Sequence, residues 1–132
     1  MSLGEHLHNA LPFTAASALT PRAPVRLSAS VARAVIPAAT NNVEIQGFIG
    51  AASAGVGVGV TVYGQDSIVE AIAVASIGPG AAVGIGSTNG ALGPVAAASG
   101  VARYAVGRSI EGAAAGEIFS LYVSPTLLSD NG

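Results

Sequence analysis

The chain has no cysteine, no tryptophan and no lysine, and charged residues make up only 9% of its 132 positions. The absence of cysteine excludes disulfides, thiolate metal sites and cysteine nucleophiles. A typical soluble domain is about 25% charged, and surface charge keeps copies of a protein apart. The composition therefore predicts a protein that associates with copies of itself. The alternative is a monomer with a smooth surface of alanine, serine, threonine and glycine.

Positive charge is also scarce, since all five cations are arginines and the formal net charge is −2. A chain with this balance offers nucleic acid no broad electrostatic attraction. A membrane span is not expected either, although the mean hydropathy is +0.62. The best candidate, 47–63, is rich in glycine and alternates with a period of two, whereas a spanning helix needs about 20 mostly apolar residues. The sequence predicts neither a nucleic acid partner nor a membrane partner.

Residues that carry chemistry are few and scattered. The only histidines are His6 and His8, which could share a strand face but have only Glu5 as an obvious third ligand. No nucleophile elbow is present, and a phosphate-binding loop of the Walker type needs the lysine that the chain lacks. Asp66 and Glu70 fit solvated acids at the edge of a turn, which discourage pairing between exposed strands. We therefore expect no catalytic site, no metal and no cofactor, and the chain is not expected to be an enzyme.

A change in composition near residue 40 divides the chain. The first forty residues contain Pro12, Pro21, Pro24 and Pro37, and proline fixes φ, removes a donor and favours extended geometry in its predecessor. The sequence predicts an extended N-terminal arm over 1–40, a β-domain over 41–124 and a flexible tail over 125–132.

The β-domain reads as short strands separated by turn residues, which is typical of a small barrel or sandwich. The predicted strands lie near 31–36, 43–49, 56–63, 68–76, 81–86, 101–108 and 117–123. The Ala-rich residues 94–99 are expected to be a connector, and Asn89-Gly90 suits a tight hairpin. The predicted fold class is all-β, a small β-barrel or sandwich of short strands with the proline-containing arm attached.

Two strands suggest surfaces. In 56–63 the valines occupy one face, and the other begins with Gly57 and Gly59, where another backbone can approach closely. That neighbour is a sheet layer, a partner subunit, or a crowded corner of the same barrel. In 117–123, Tyr122 points away from the predicted core and could place its ring at an interface while its hydroxyl stays wet. The arginines offer planar contacts of the kind favoured at interfaces.

Three segments of the C-terminal two-thirds, 66–74, 78–83 and 100–118, carry a family resemblance. The last reads Gly-Val-Ala-Arg-Tyr-Ala-Val-Gly-Arg-Ser-Ile-Glu-Gly-Ala-Ala-Ala-Gly-Glu-Ile. Over residues 43–123 the chain resembles the small capsid decoration, or cement, proteins of tailed bacteriophages. These end in a strand, an Ala/Gly turn and a last strand that closes a small β-fold.

The resemblance implies a β-barrel-like or β-tulip-like domain. It also implies a homotrimer that is made in the host cytoplasm and binds the major capsid protein on the outer surface of the expanded phage head. There it would stabilise the head against internal DNA pressure. The resemblance further implies that terminal arms reach neighbouring subunits or the capsid. An alternative is a head- or fibre-associated module that binds host glycans. The expected capsid or subunit contacts are Leu11, Pro12, Phe13, Pro21, Arg22, Arg26, Arg33, Tyr104, Arg108 and Tyr122.

Overall fold

The computed structural model describes residues 10–41, 44–87, 89–96 and 103–128. These residues form ten strands and no helix, which confirms the all-β prediction. The strands are β1 (Ala10–Ala15), β2 (Pro24–Leu27), β3 (Ala34–Pro37), β4 (Gly47–Phe48), β5 (Gly59–Tyr63), β6 (Ile68–Ile72), β7 (Ala82–Ile85), β8 (Leu92–Pro94), β9 (Arg103–Ser109) and β10 (Ile118–Leu128).

The strands form two units in chain order. The first five close a barrel in the order β1-β3-β2-β4-β5, and the last five form a sheet in the order β6-β10-β9-β7-β8. Pairing is antiparallel except between β1 and β3, which are parallel. The small barrel predicted from the turn-punctuated sequence is therefore present, and it is built from the N-terminal half of the chain.

The two units repeat one pairing scheme. Strand β1 pairs with β5 as β6 pairs with β10, so that the pair Ala10–Tyr63 corresponds to the pair Ile68–Tyr122. The hairpin β2–β3 corresponds to β7–β8, with Val25 opposite Pro37 and Val83 opposite Pro94. We call residues 10–63 the first half and residues 68–128 the second half.

The connections repeat as well. An isolated bridge joins Leu19 to Ala54 in the first half, and its counterpart joins Ile77 to Ala113 in the second. The parallel contact of β1 with β3 recurs as a bridge between Ala73 and Leu92. Because local pairings, long-range bridges and strand order all agree, the chain is a structural duplication of one unit.

The same backbone conformations recur at matching turns. Arg22 (φ 59°) corresponds to Gly80 (φ 72°), and Arg33 (φ 55°) corresponds to Gly90 (φ 88°). A non-glycine residue with positive φ is uncommon and costs of order 1 kcal/mol or more. The first half therefore holds two arginines in turns that the second half forms with glycine.

One glycine in each half lies beneath a neighbouring strand. A Cβ added to Gly47 would lie 2.3 Å from the carbonyl oxygen of Tyr63, and one added to Gly107 would lie 1.9 Å from that of Tyr122. Both distances are far below van der Waals contact. The close approach of β4 to β5, and of β9 to β10, therefore requires glycine at both positions.

Two buried clusters form the core. One fills the first barrel around Leu19, Val25 and Val62. The other lies within the second half and also includes Phe48 of β4, which is fully buried. Because this second cluster draws side chains from both halves, it joins them into one packed structure.

The predicted arm is wrong for the described part of residues 1–40. Residues 10–37 supply three strands of the barrel instead, and residues 1–9 lie outside the described part of the chain. The prolines mark strand limits: Pro24 begins β2 and Pro37 ends β3. Pro12 lies where β1 is paired with β5 but not with β3, a position where a missing donor is tolerated.

The C-terminal boundary also moves. Strand β10 runs past residue 124 to Leu128, so 125–128 are strand rather than flexible tail, and 129–132 lie outside the described residues. Strand β8 ends at Pro94, which the sequence predicted to begin the connector 94–99. Strand β4 is only two residues long, although the sequence predicted a strand over 43–49.

Candidate docking interface

A shallow groove of about 220 Å³ lies on the outer face of the second half. Ala82, Arg108 and Tyr122 stand side by side there, because the register places Arg108 directly opposite both other residues. Directly opposite residues share one face of a sheet. The remaining lining residues are Ala105, Gly107, Ser124, Thr126 and Leu128. Most of this lining is apolar or small, which suits contact with another surface.

Tyr122 is oriented by a carboxylate. Its side chain is 39% exposed, and its hydroxyl donates a hydrogen bond to Oδ1 of Asp66. This hydrogen bond to Asp66 is the main cause that raises the pKa of Tyr122 above its ordinary value, followed by loss of solvent and by the carboxylate charge. The hydrogen bond to Asp66 therefore fixes the position of a partly exposed ring.

Arg108 lies between Ala82 and Tyr122 in the groove, and it too is held by a hydrogen bond. Its Nη1 donates to the carbonyl oxygen of Gly80 over 3.1 Å. The neighbouring turn is held from below by Ser109, whose Oγ donates to the carbonyl of Gly78 over 2.5 Å and accepts from the amide of Ala81 over 3.2 Å. The groove is therefore preformed, because hydrogen bonds within the chain fix both Arg108 and Tyr122.

A second exposed surface is the tip between β4 and β5. Val56 is 71% exposed and Val58 is 49% exposed, and both lie just before β5 begins. The corresponding positions in the second half hold Ala115 and Glu117, and the Glu117 side chain accepts a hydrogen bond from the amide of Ala114 over 2.7 Å. The first half therefore presents an uncharged valine tip where the second half presents a capped, charged turn.

The glycine face of 56–63 is open. Ideal Cβ atoms at Gly57 and Gly59 meet no heavy atom within 4 Å. The interpretation as a crowded corner inside one barrel is therefore wrong, and no layer of the described chain covers these two glycines. A partner subunit stays as a prediction for this surface.

The residues predicted as contacts do not form one patch. The groove brings together Arg108 and Tyr122. Arg22 lies instead between the halves, with its Nη2 3.8 Å from Oε1 of Glu70. Phe13 packs partly buried against the core of the first barrel. The others lie at the surface, exposed for Leu11, Pro12, Pro21 and Arg33 and half-buried for Arg26 and Tyr104.

Sequence reasoning missed two kinds of surface residue. Val31 and Val56 are exposed apolar residues that were read as parts of strands. Asp66 was read as a solvated acid, yet it bonds the tyrosine of the groove. A signal for the duplication was present: Pro-x-Ala-x-Val occurs at 21–25 and again at 79–83, and Ala-x-x-Gly followed by tyrosine occurs at 54–63 and again at 113–122.

Neither a metal-ligand cluster nor a membrane-spanning helix occurs among the described residues. No three side chains among His, Cys, Asp and Glu lie together there in a way that could hold a metal ion. His6 and His8, the pair considered from sequence, fall outside the described residues. No helix long and apolar enough to cross a membrane occurs in the described ranges.

No protein-family model matches the chain, and no curated protein matches it in sequence. It does match the crystal structure of the head fiber gp8.5 N base of bacteriophage phi29, with a TM-score of 0.64 and 19% identity. The chain shares its fold with a phage head-fibre base.

The match to the head-fibre base is nearly full length. It covers 87% of this chain and 92% of that chain, so it includes both halves and not a single barrel. The resemblance drawn from sequence was to capsid decoration proteins, whereas the matched structure is named as the base of a fibre. The sequence resemblance and the structural match have in common that each is to a protein of a phage head.

Proposed function

We propose that this protein is a structural component of a phage head, which docks as a homotrimer on the outer surface of the expanded capsid and reinforces it against internal DNA pressure. Its partners are copies of itself and the major capsid protein, and it acts without catalysis. The observation that carries the proposal is the fold shared with the phi29 head-fibre base over 87% of the chain.

The surface of the molecule supports a docking role. The valine tip is exposed and uncharged, and charged residues are 9% of the chain. Contiguous exposed apolar surface marks interaction sites in soluble proteins. In a trimer, three equal footprints raise the effective concentration of the second and third contacts, so that weak single contacts give strong attachment.

The groove supports a role in contact with a partner. The Tyr122 hydroxyl donates a hydrogen bond to Asp66, and Nη1 of Arg108 donates one to the carbonyl oxygen of Gly80. Two side chains held in this way suit a fixed contact surface.

The test uses expanded heads that lack this protein. Purified full-length protein should co-sediment with these heads, and the decorated heads should release their DNA at a higher temperature than bare heads. Val56→Asp should weaken attachment because it places a charge on the valine tip, and Ala115→Asp is the matched control at the corresponding exposed position of the second half. If wild-type protein does not bind the heads, or binds without raising the temperature of DNA release, the proposal is wrong.

A second function, recognition of host glycans, draws support from one observation. Tyr122 presents a partly exposed ring beside the carboxylate of Asp66, and aromatic rings and carboxylates are groups that contact sugars through stacking and hydrogen bonds. Binding of the full-length protein to a glycan array, abolished by Tyr122→Ala, would favour this function over reinforcement of the head.

A further inference from the structure

The contact between the two halves has a defined surface on the first half. Pro24, Phe48 and Tyr63 stand in one row across β2, β4 and β5, since Phe48 pairs with both neighbours. We call these three residues the first row. Phe48 is buried in the core cluster of the second half, and Tyr63 packs against that cluster.

The second half covers this row with a hairpin and with its core cluster. Gly90, in the β7–β8 hairpin, lies so near Pro24 that an added Cβ would be 2.8 Å from its Cδ. On β6, Glu70 faces Arg22 across 3.8 Å. The second half therefore covers Pro24 with the β7–β8 hairpin, places the outer face of β6 against Arg22, and packs its core cluster on Phe48 and Tyr63.

The duplication places an equivalent row on the second half. Ala82, Arg108 and Tyr122 correspond to Pro24, Phe48 and Tyr63, because each set has the same pairings in β2, β4 and β5 or in β7, β9 and β10. We call them the second row. Where the first row is covered, the second row forms the open groove, with Arg108 and Tyr122 exposed among the described residues.

The first half carries the counterparts of the β7–β8 hairpin and of the outer face of β6, and they too are exposed. Arg33 corresponds to Gly90 at the same turn, and Pro12 corresponds to Glu70 on the outer face of the strand. Both are exposed, as are Thr14 and Val31 beside them. The amide of Thr14 donates to the carbonyl of Arg33 over 3.0 Å, so the hairpin and the strand form one continuous surface.

We propose that the open groove of one copy receives the β2–β3 hairpin and the outer face of β1 of a second copy, which repeats between chains the contact that joins the two halves within a chain. The occupant is a second copy because the chain contains both surfaces, and no described residue of the chain covers either of them. Such a contact is head-to-tail, so it propagates from copy to copy until a ring closes. This inference rests on the self-association in the proposed function and names its surfaces.

Both surfaces combine small apolar side chains with one arginine, Arg33 on the hairpin and Arg108 in the groove. The incoming hairpin presents Val31 and Ala32, which are small and apolar. The groove lining offers Ala82, Ala105 and Leu128. Burial of such surface stabilises association by about 25 cal/mol per Å² of apolar area before the costs of ordering are counted.

The test is a disulfide between copies. The natural chain has no cysteine, so every cross-link reports introduced thiols. The double variant Arg33→Cys/Ala82→Cys places one thiol on each proposed surface, at the positions that correspond to Gly90 and Pro24. After mild oxidation, most of it should run as species of two and three chains on a non-reducing gel.

Two controls set the background. The double variant Val56→Cys/Ala82→Cys keeps the groove thiol but moves the other to the most exposed valine, which lies outside the proposed contact. Groups held together in a complex have effective concentrations near millimolar, so the initial rate of cross-linking should exceed that of this control by up to about a thousandfold in micromolar protein. The single variants can form only symmetric pairs and should give no three-chain species.

The outcomes separate this inference from the proposed function. Equal cross-linking in the two double variants, with a trimer mass for wild-type protein, overturns the head-to-tail contact and leaves self-association intact. Specific cross-linking in protein that does not bind heads supports the contact and refutes the capsid function. A wild-type monomer at all concentrations overturns both.

Discussion

Replacing Gly107 with alanine tests the packing on which the second half depends. Its new Cβ would lie 1.9 Å from the carbonyl oxygen of Tyr122, whereas Cβ contacts below 3.0 Å essentially do not occur. The two strands must therefore separate by about 1 Å or give up local ladder bonds. Overpacking typically costs 1–3 kcal/mol and a lost hydrogen bond about 1 kcal/mol, so we expect a loss of about 3 kcal/mol in the free energy of unfolding.

The measurement is urea denaturation followed by circular dichroism at one fixed protein concentration, because self-association makes apparent stability depend on concentration. Gly47→Ala, with a 2.3 Å contact, should also destabilise, by a smaller amount. Gly59→Ala is the control, since its Cβ meets nothing within 4 Å, and it should be neutral or stabilising by less than about 1 kcal/mol. If Gly107→Ala and Gly59→Ala unfold at the same urea concentration, the close approach of β9 to β10 is not a constraint and the reasoning fails.

Two further predictions concern the groove and the core. The pKa of Tyr122 is raised, so the stability that its hydrogen bond to Asp66 provides is fully present below the ordinary tyrosine pKa of about 10. It is lost as the pH rises through the raised value. The difference in absorbance at 295 nm between wild-type protein and Tyr122→Phe should show this late titration, and Asp66→Asn should move the titration to lower pH. Leu92→Ala removes a fully buried side chain and should cost about 2–5 kcal/mol by urea denaturation, whereas Val56→Ala at the exposed tip should change stability by less than about 0.5 kcal/mol; equal effects would contradict the assigned core.

Four of the five strands of the second half were predicted, and the clearest of them is the last, whose side chains alternate; β8 was not predicted. Phe119, Leu121 and Val123 are all buried, and Tyr122 between them points outward, as the period of two requires. The turn at Asn89-Gly90 was predicted in part: a hairpin forms there with a positive φ at its glycine, but Ile85 pairs with Leu92, so its loop is longer than a tight two-residue turn.

The first half was harder to predict because its strands are short and proline sits at their limits. A segment such as Pro24–Leu27 carries too few residues to show a period, and its pairing is supplied by distant partners such as Gly47. Local sequence therefore favoured an extended arm, and only tertiary pairing turned that extended chain into a barrel.

The groove could be predicted in part. Arg108 and Tyr122 were both singled out, and the register brings them face to face. Asp66 could not be assigned to Tyr122 from sequence, because the two are far apart in the chain and meet only through the turn before β6. The duplication is hard to predict from sequence, because the matching positions share mainly small residues and turns rather than a distinctive motif.

Because the chain is a duplication, each position in one half can be compared with its counterpart in the other half. At Gly47 and Gly107 the same residue occupies both copies of the unit, so that position belongs to the architecture which either copy needs in order to fold. At Phe48 and Arg108 the two halves differ: Phe48 is buried in the contact between the halves, whereas Arg108 is exposed in the groove. Pairs that match therefore mark positions that the backbone requires, and this differing pair marks a contact inside the chain in one half and an exposed surface in the other.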